Sequence, residues 1–92
     1  MLTLKDIPIK TKGFVIRELG DELIIISENG SEMHTVDEIG SFIWKNINGK
    51  NTIQSIVDRI CNEYEVKKQI AQKDLMNFIK SLINKKLILL KS

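Results

Sequence analysis

One histidine, His34, and one cysteine, Cys61, are all that the 92-residue chain offers a soft metal or a nucleophilic mechanism. A metal site needs three or four convergent ligands, and no CxxC or HxxxH spacing is present, so no metal is expected. His34 reads as a strand residue. Cys61 follows Ile60 on an apolar helix face, which favours packing over reactivity. Glycine-rich phosphate loops, Rossmann fingerprints and serine-nucleophile motifs are all missing, and with them the usual means of holding a cofactor. The chain therefore reads as a non-enzyme without a cofactor. It also lacks the run of about 18 apolar residues that would cross a bilayer. Its first residues, MLTLKDIPIK, carry Asp6 and have no signal-peptide core. A lone cysteine makes no internal bridge and suits a reducing compartment, so the expected location is cytoplasmic.

A hydrophobic content of 42% is that of an ordinary globular chain, and the length allows one domain, residues 1–92, near the lower limit for a self-sufficient core. Charge is unevenly placed. Residues 1–65 hold seven Lys/Arg and eleven Asp/Glu, a net −4, whereas residues 66–92 hold seven Lys and one Asp, a net +6. The basic third suits either an anionic partner or a solvated lysine face.

Proline occurs once, at Pro8, and residues 1–11 read as an extended arm. Residues 14–36 read as three strands. Phe14 to Leu19 ends at Gly20-Asp21, and Glu22 to Ser27 carries the strongly β-forming Ile24, Ile25 and Ile26. Asn29-Gly30 gives a two-residue hairpin signal before the third strand, Glu32 to Val36. Leu23 and Ile25 share one face of the second strand, Ile24 and Ile26 the other. The helices can cover only one of these faces. Leu2, Leu4 and Ile7 of the arm, or a second copy of the chain, are alternatives for the other.

Residues 37–90 read as three helices and a short extended end. Thr35-x-x-Glu38 matches a capping box for the first helix, in which Ile39, Ile43 and Ile47 recur beside Phe42 and Trp44. Gly49 stops it. Thr52 caps the second helix, whose apolar face is Ile53, Ile56, Val57, Ile60, Cys61 and Tyr64. Trp44 and Tyr64 read as core aromatics. The third helix runs from about Gln72 to Lys86, and Leu87 to Leu90 leaves it extended. The fold class is α+β: a three-stranded antiparallel meander followed by three helices, winged-helix-like.

On the third helix, Leu75, Met76, Phe78, Ile79, Leu82 and Ile83 cover an arc of about 160°. One core contact needs a stripe only a little over about 100° wide. The surplus falls on the Met76, Ile79 and Ile83 side, bordered by Lys73 and Lys80. This strip suits an acidic amphipathic segment, or is covered by the sheet or a dimer partner. Duplex DNA is the second reading of a winged-helix outline. The third helix offers Asn77, Asn84 and lysines but no arginine, while Arg17 and Arg59 lie elsewhere.

One stretch carries a family pattern. Val36, Asp37, Glu38, Ile39, Gly40, Ile43 and Trp44, then Asn48-Gly49 and Thr52-Ile53, resemble the pyrroloquinoline quinone synthesis protein D (PqqD) family, the RiPP recognition element. The usual pattern there is Leu-Asn-Glu-Thr-Gly-x-x-Ile-Trp, then Asp-Gly, then Thr-[Val/Ile]. The likeness extends from about Phe14 to Leu89 and includes Asp74-Leu75, Phe78-Ile79, Leu82 and Leu87-Ile88. Asp37 replaces Asn, Ile39 a common Thr, and Lys86 a frequent Gly. The resemblance implies a non-catalytic adaptor that binds the leader of a ribosomally made precursor peptide. The leader adds as a strand beside the third strand, between it and the third helix, and is presented to a maturation enzyme such as a radical SAM protein, a cyclase or a leader peptidase. With that mode of binding, the candidate site is Glu32, Met33, His34, Thr35 and Val36 for backbone pairing, Met76, Ile79 and Ile83 of the surplus strip for side-chain burial, and Lys80 for attraction to acidic leader residues.

Overall fold

Three consecutive isoleucines set the centre of the sheet. In the computed structural model, which describes residues 2–27 and 29–91, they lie in β3 (Glu22–Ile26), between β2 (Val15–Leu19) and β4 (Met33–Val36). All pairing is antiparallel, with Arg17 opposite Ile24 and Ile24 opposite Thr35. Side chains alternate across the pleat, so Leu23, Ile25 and Val36 enter the core while Ile24 and Ile26 stay half-buried on the outer face.

The turns differ from the sequence expectation. The tight two-residue connection is Gly20-Asp21, with Gly20 at φ 63°. At Asn29-Gly30 the glycine has positive φ, 73°, and the strands close through Ser27 N–H donating to the Glu32 carbonyl at 3.0 Å, a loop longer than two residues. Asn29 acts through its side chain, whose oxygen accepts from Ser31 N–H and Ser27 Oγ, each at 3.0 Å. That local bond competes with the type I′ geometry.

Three helices follow: α1 (Glu38–Asn46), α2 (Ile53–Glu63) and α3 (Lys68–Asn84). The capping box at Thr35 is not formed. Thr35 is still in β4 opposite Ile24, and Asp37 caps α1, its Oδ1 accepting from Gly40 N–H at 2.8 Å. Thr52 caps α2 as expected, accepting from Ser55 N–H at 3.1 Å. The third helix begins four residues earlier than the polar segment suggested, because Ala71 is needed in the core.

The extended arm expected at residues 1–11 contributes a paired strand within its described part, residues 2–11. Ile7–Lys10 form β1, paired antiparallel with β5 (Ile88–Lys91) in a separate two-stranded sheet. Pro8 is tolerated there because hydrogen-bonded pairs alternate along the ladder. Thr11 N–H donates to the Leu87 carbonyl at 3.0 Å, which places Pro8, opposite Leu90, at a non-bonded pair. Ahead of β1, the Leu4 and Asp6 carbonyls accept from Gln54 and Ile53 N–H, each at 3.0 Å. They satisfy donors that the start of α2 would otherwise leave open. The leading segment therefore serves α2 and does not cover the outer sheet face, where Val15, Leu19 and Met33 remain exposed.

Candidate functional site

β4 is an edge strand. Its ladder follows from the Ser27–Glu32 bond: in an antiparallel pair every second residue is hydrogen-bonded to its neighbour. His34 and Val36 therefore direct their backbone groups at β3. Met33 and Thr35 direct theirs outward, where no strand of the described residues lies. Their side chains sit on the outer face, whereas those of His34 and Val36 sit on the helix face. His34 is half-buried, with Nε2 3.3 Å from a Glu32 carboxylate oxygen.

At the end of β4 an apolar groove of about 250 Å³ opens between the start of α1 and the middle of α3. Ile39, Gly40, Ile43 and Phe78 form its walls, and Asp37 and Asp74 stand at its rim. Gly40 makes the groove possible. A Cβ there would meet Val36 Cβ at 3.1 Å, Asp37 Oδ1 at 3.2 Å and Phe78 Cε1 at 3.4 Å. Without a side chain at Gly40, the Phe78 ring can lie close against α1. Two residues of the same motif, Ile43 and Trp44, are buried in the core, and Lys10 Nζ lies 4.9 Å from the centre of the Trp44 ring. Ile39 takes no part in the core at 42% exposure and adds apolar surface to the groove.

The third-helix residues expected at the site divide. Ile79 is fully buried beside Leu75, Leu82 and Ala71, so it is core and not a contact surface. The periodicity could not reveal this, because a wide apolar arc does not show where its buried centre lies. Taking ~100° per residue, Met76 and Ile83 flank that core on one side and Phe78 on the other. Met76 and Ile83 are half-buried against the core, and exposed Lys80 lies beyond them. The groove at β4 is on the Phe78 flank. The groove thus adjoins the end of β4 at Val36 and Asp37, and neither Glu32 to Thr35 nor Met76, Ile83 and Lys80 line it.

Sequence reasoning passed over Asp74 and Phe78 as groove residues, and it left exposed Ile70, on the same helix ridge, outside the helix. Ile70 is 51% exposed one turn before Asp74, outside the expected helix start. An i, i+4, i+8 reading of the helix from Lys68 would have put Ile70, Asp74 and Phe78 on one ridge.

Among the described residues no group of three His, Cys, Asp or Glu side chains could hold a metal ion. Nor is any described helix long and apolar enough to cross a membrane. An antiparallel meander with β2 and β4 at its edges, packed on three helices with an apolar groove at the end of β4, defines a winged-helix-like α+β module. Residues 22–88 match the model of the family described as coenzyme PQQ synthesis protein D (PqqD), and the chain belongs to that family. No curated protein sequence matches it. Among solved structures it is similar to TbiB1 in complex with the TbiA(beta) leader peptide, with a TM-score of 0.79 and 29% identity over 87% of this chain and 93% of that one. It also shares its fold with a lasso peptide synthetase B1 complexed with the leader peptide, with a TM-score of 0.80 and 13% identity over 90% of this chain and 98% of that one.

Proposed function

We propose that this protein is a non-catalytic adaptor that captures the leader of a ribosomally synthesised precursor peptide and presents it to a maturation enzyme. The observation that carries the reading is the open edge of β4 beside the groove at Phe78. An added strand gains backbone hydrogen bonds at Met33 and Thr35, and adjacent pockets select its alternate side chains. The likeness to TbiB1 in complex with a leader peptide supports this use of the surface. Glu32, Met33, His34, Thr35 and Val36 make up the pairing edge. Ile39, Ile43 and Phe78 receive apolar leader side chains. A radical SAM protein, a cyclase or a leader peptidase suits the enzyme's part. The single cysteine agrees with work in the cytoplasm.

The groove rim argues against a phosphate backbone. Asp37 and Asp74 place carboxylates where a duplex at this edge would bring like charge. The reading is tested by mixing the purified protein with the leader of the precursor encoded nearest its gene. Saturable binding with unchanged peptide mass is expected. Cleavage or modification of the peptide by this chain alone, or no binding, would overturn the proposal.

A further inference from the structure

A second pocket, of about 240 Å³, lies between the β2–β3 turn, α1 and the end of α2. It shares no lining residue with the groove at Phe78, because the two open on different faces of α1. Three carboxylates line it, one from each element: Asp21 from the turn, Glu38 from α1 and Glu63 from α2. No ion pair among the described residues engages any of them. Lys45, the one cation in the lining, lies 3.6 Å from Glu18 outside the pocket.

Two further features point to a ligand. Ser41, also in the lining, is only 4% exposed, and its Oγ has no hydrogen-bond partner among the described residues. Buried hydroxyls are ordinarily paired, so this one has both its O–H donor and its lone-pair acceptors unused. Phe42 and Tyr64 supply an aromatic wall, their rings edge to face at 5.5 Å. Burial pushes the Tyr64 phenol above its ordinary pKa, and Glu38, Glu63 and Asp21 push the same way, a record of the negative field they create.

The carboxylates do not converge as ligands of a metal ion. They suit a flat cation whose donors point in several directions and whose face can lie on a ring. That is the chemistry of a guanidinium, with five donors in a fixed fork and a preference for stacking on aromatic faces. An ammonium is a compact point charge and uses such a wall less well. We propose that this pocket receives a guanidinium group, presented as an arginine side chain on the surface of a partner protein. It can be filled while the groove at Phe78 is occupied, since the two are lined by different residues.

The test uses the full chain and N-acetyl-arginine amide, followed through backbone amide chemical shifts. Saturable shifts at Asp21, Ser41, Lys45 and Tyr64 are expected. Removing one charge in Glu63→Gln or Asp21→Asn should weaken binding about threefold or more, in keeping with a partly exposed ion pair. N-acetyl-lysine amide that bound as tightly, or shifts that did not saturate, would overturn the proposal by showing only diffuse charge attraction. Free arginine ends in an α-ammonium and an α-carboxylate where a protein has neutral amides, so a site built for a side chain on a protein surface should bind it more weakly than the amide, which carries the same net charge. Equal or tighter binding of free arginine would instead mark a metabolite site and overturn the protein partner. Leader binding measured on Glu63→Gln keeps the two sites apart, because it is expected to stay unchanged whichever way the arginine experiment falls.

Discussion

The Phe78 ring of α3 comes to 3.4 Å from the point where a side chain on Gly40 of α1 would begin. This contact joins the end of the sheet edge to the third helix and sets the floor of the groove. Replacing Gly40 with alanine would press a methyl against Val36 and Asp37, whose nearest atoms lie at 3.1 and 3.2 Å. Overpacking of this kind costs about 1–3 kcal/mol, against a gain in helix propensity of about 1. A net loss of stability on urea unfolding is expected for Gly40→Ala, with weaker leader binding among the molecules that remain folded. An unchanged midpoint would show that Val36 and Phe78 can move aside.

The ladder parity of β4 makes a sharper prediction. Met33 and Thr35 have outward-facing N–H groups, and His34 faces β3. Met33→Pro and Thr35→Pro should stay folded and lose leader binding. His34→Pro should lose stability by about the cost of a ladder bond plus strain, roughly 3 kcal/mol. Circular dichroism and a binding isotherm on the same samples separate the outcomes. Normal leader affinity in folded Thr35→Pro would mean that the peptide does not pair with this strand.

Capping at the start of α1 belongs to Asp37 and not to Thr35. Asp37→Ala should therefore destabilise by about 0.5–2 kcal/mol. Thr35→Ala, an exposed change without a cap to lose, should stay within about 0.5 kcal/mol. Thermal melts of the two variants without peptide give the comparison, and a reversed order would restore the capping box.

Lys86 is the one described non-glycine residue with positive φ, at 61°. It ends α3 in a Schellman arrangement: its N–H donates to Ile83 and that of Leu87 to Leu82, each at 2.9 Å. A side chain in this conformation is strained, so Lys86→Gly should stabilise the protein by about 1 kcal/mol. A lower melting temperature would count against strain at this site.

The two flanks of α3 can be compared directly. Phe78→Ala should weaken leader binding tenfold or more, about 1.4 kcal/mol, because it empties the groove. Lys80→Gln, on the far flank, should leave affinity and its salt dependence nearly unchanged. A flattened salt dependence in Lys80→Gln would favour the Met76 and Ile83 flank as the peptide surface.

The meander, the cap at Thr52 and the helical part of the fold were legible because their signals are local. Isoleucine-rich alternation, a hydroxyl before an apolar run and four-residue periodicity each act within a few residues. The motif of Gly40, Ile43 and Trp44 was legible as a pattern, though its reason was not: glycine is there to admit Phe78, 38 positions along the chain. The pairing of β1 with β5 had no local signal either. Pro8 argued against a strand, and only its register opposite Leu90 shows why proline fits.

The chain's own residues determined an α+β module without metal-binding or nucleophile motifs, and they marked the third strand as an available edge. Tertiary packing decided which flank of α3 faces that edge. An apolar arc of about 160° is compatible with a groove on either border. The choice rests on the rotation at which α3 settles, fixed by Ala71, Leu75, Ile79 and Leu82 entering one shared core with α1, α2 and the sheet. That rotation follows from the fit of many side chains distant in sequence, and no periodicity along one helix contains it.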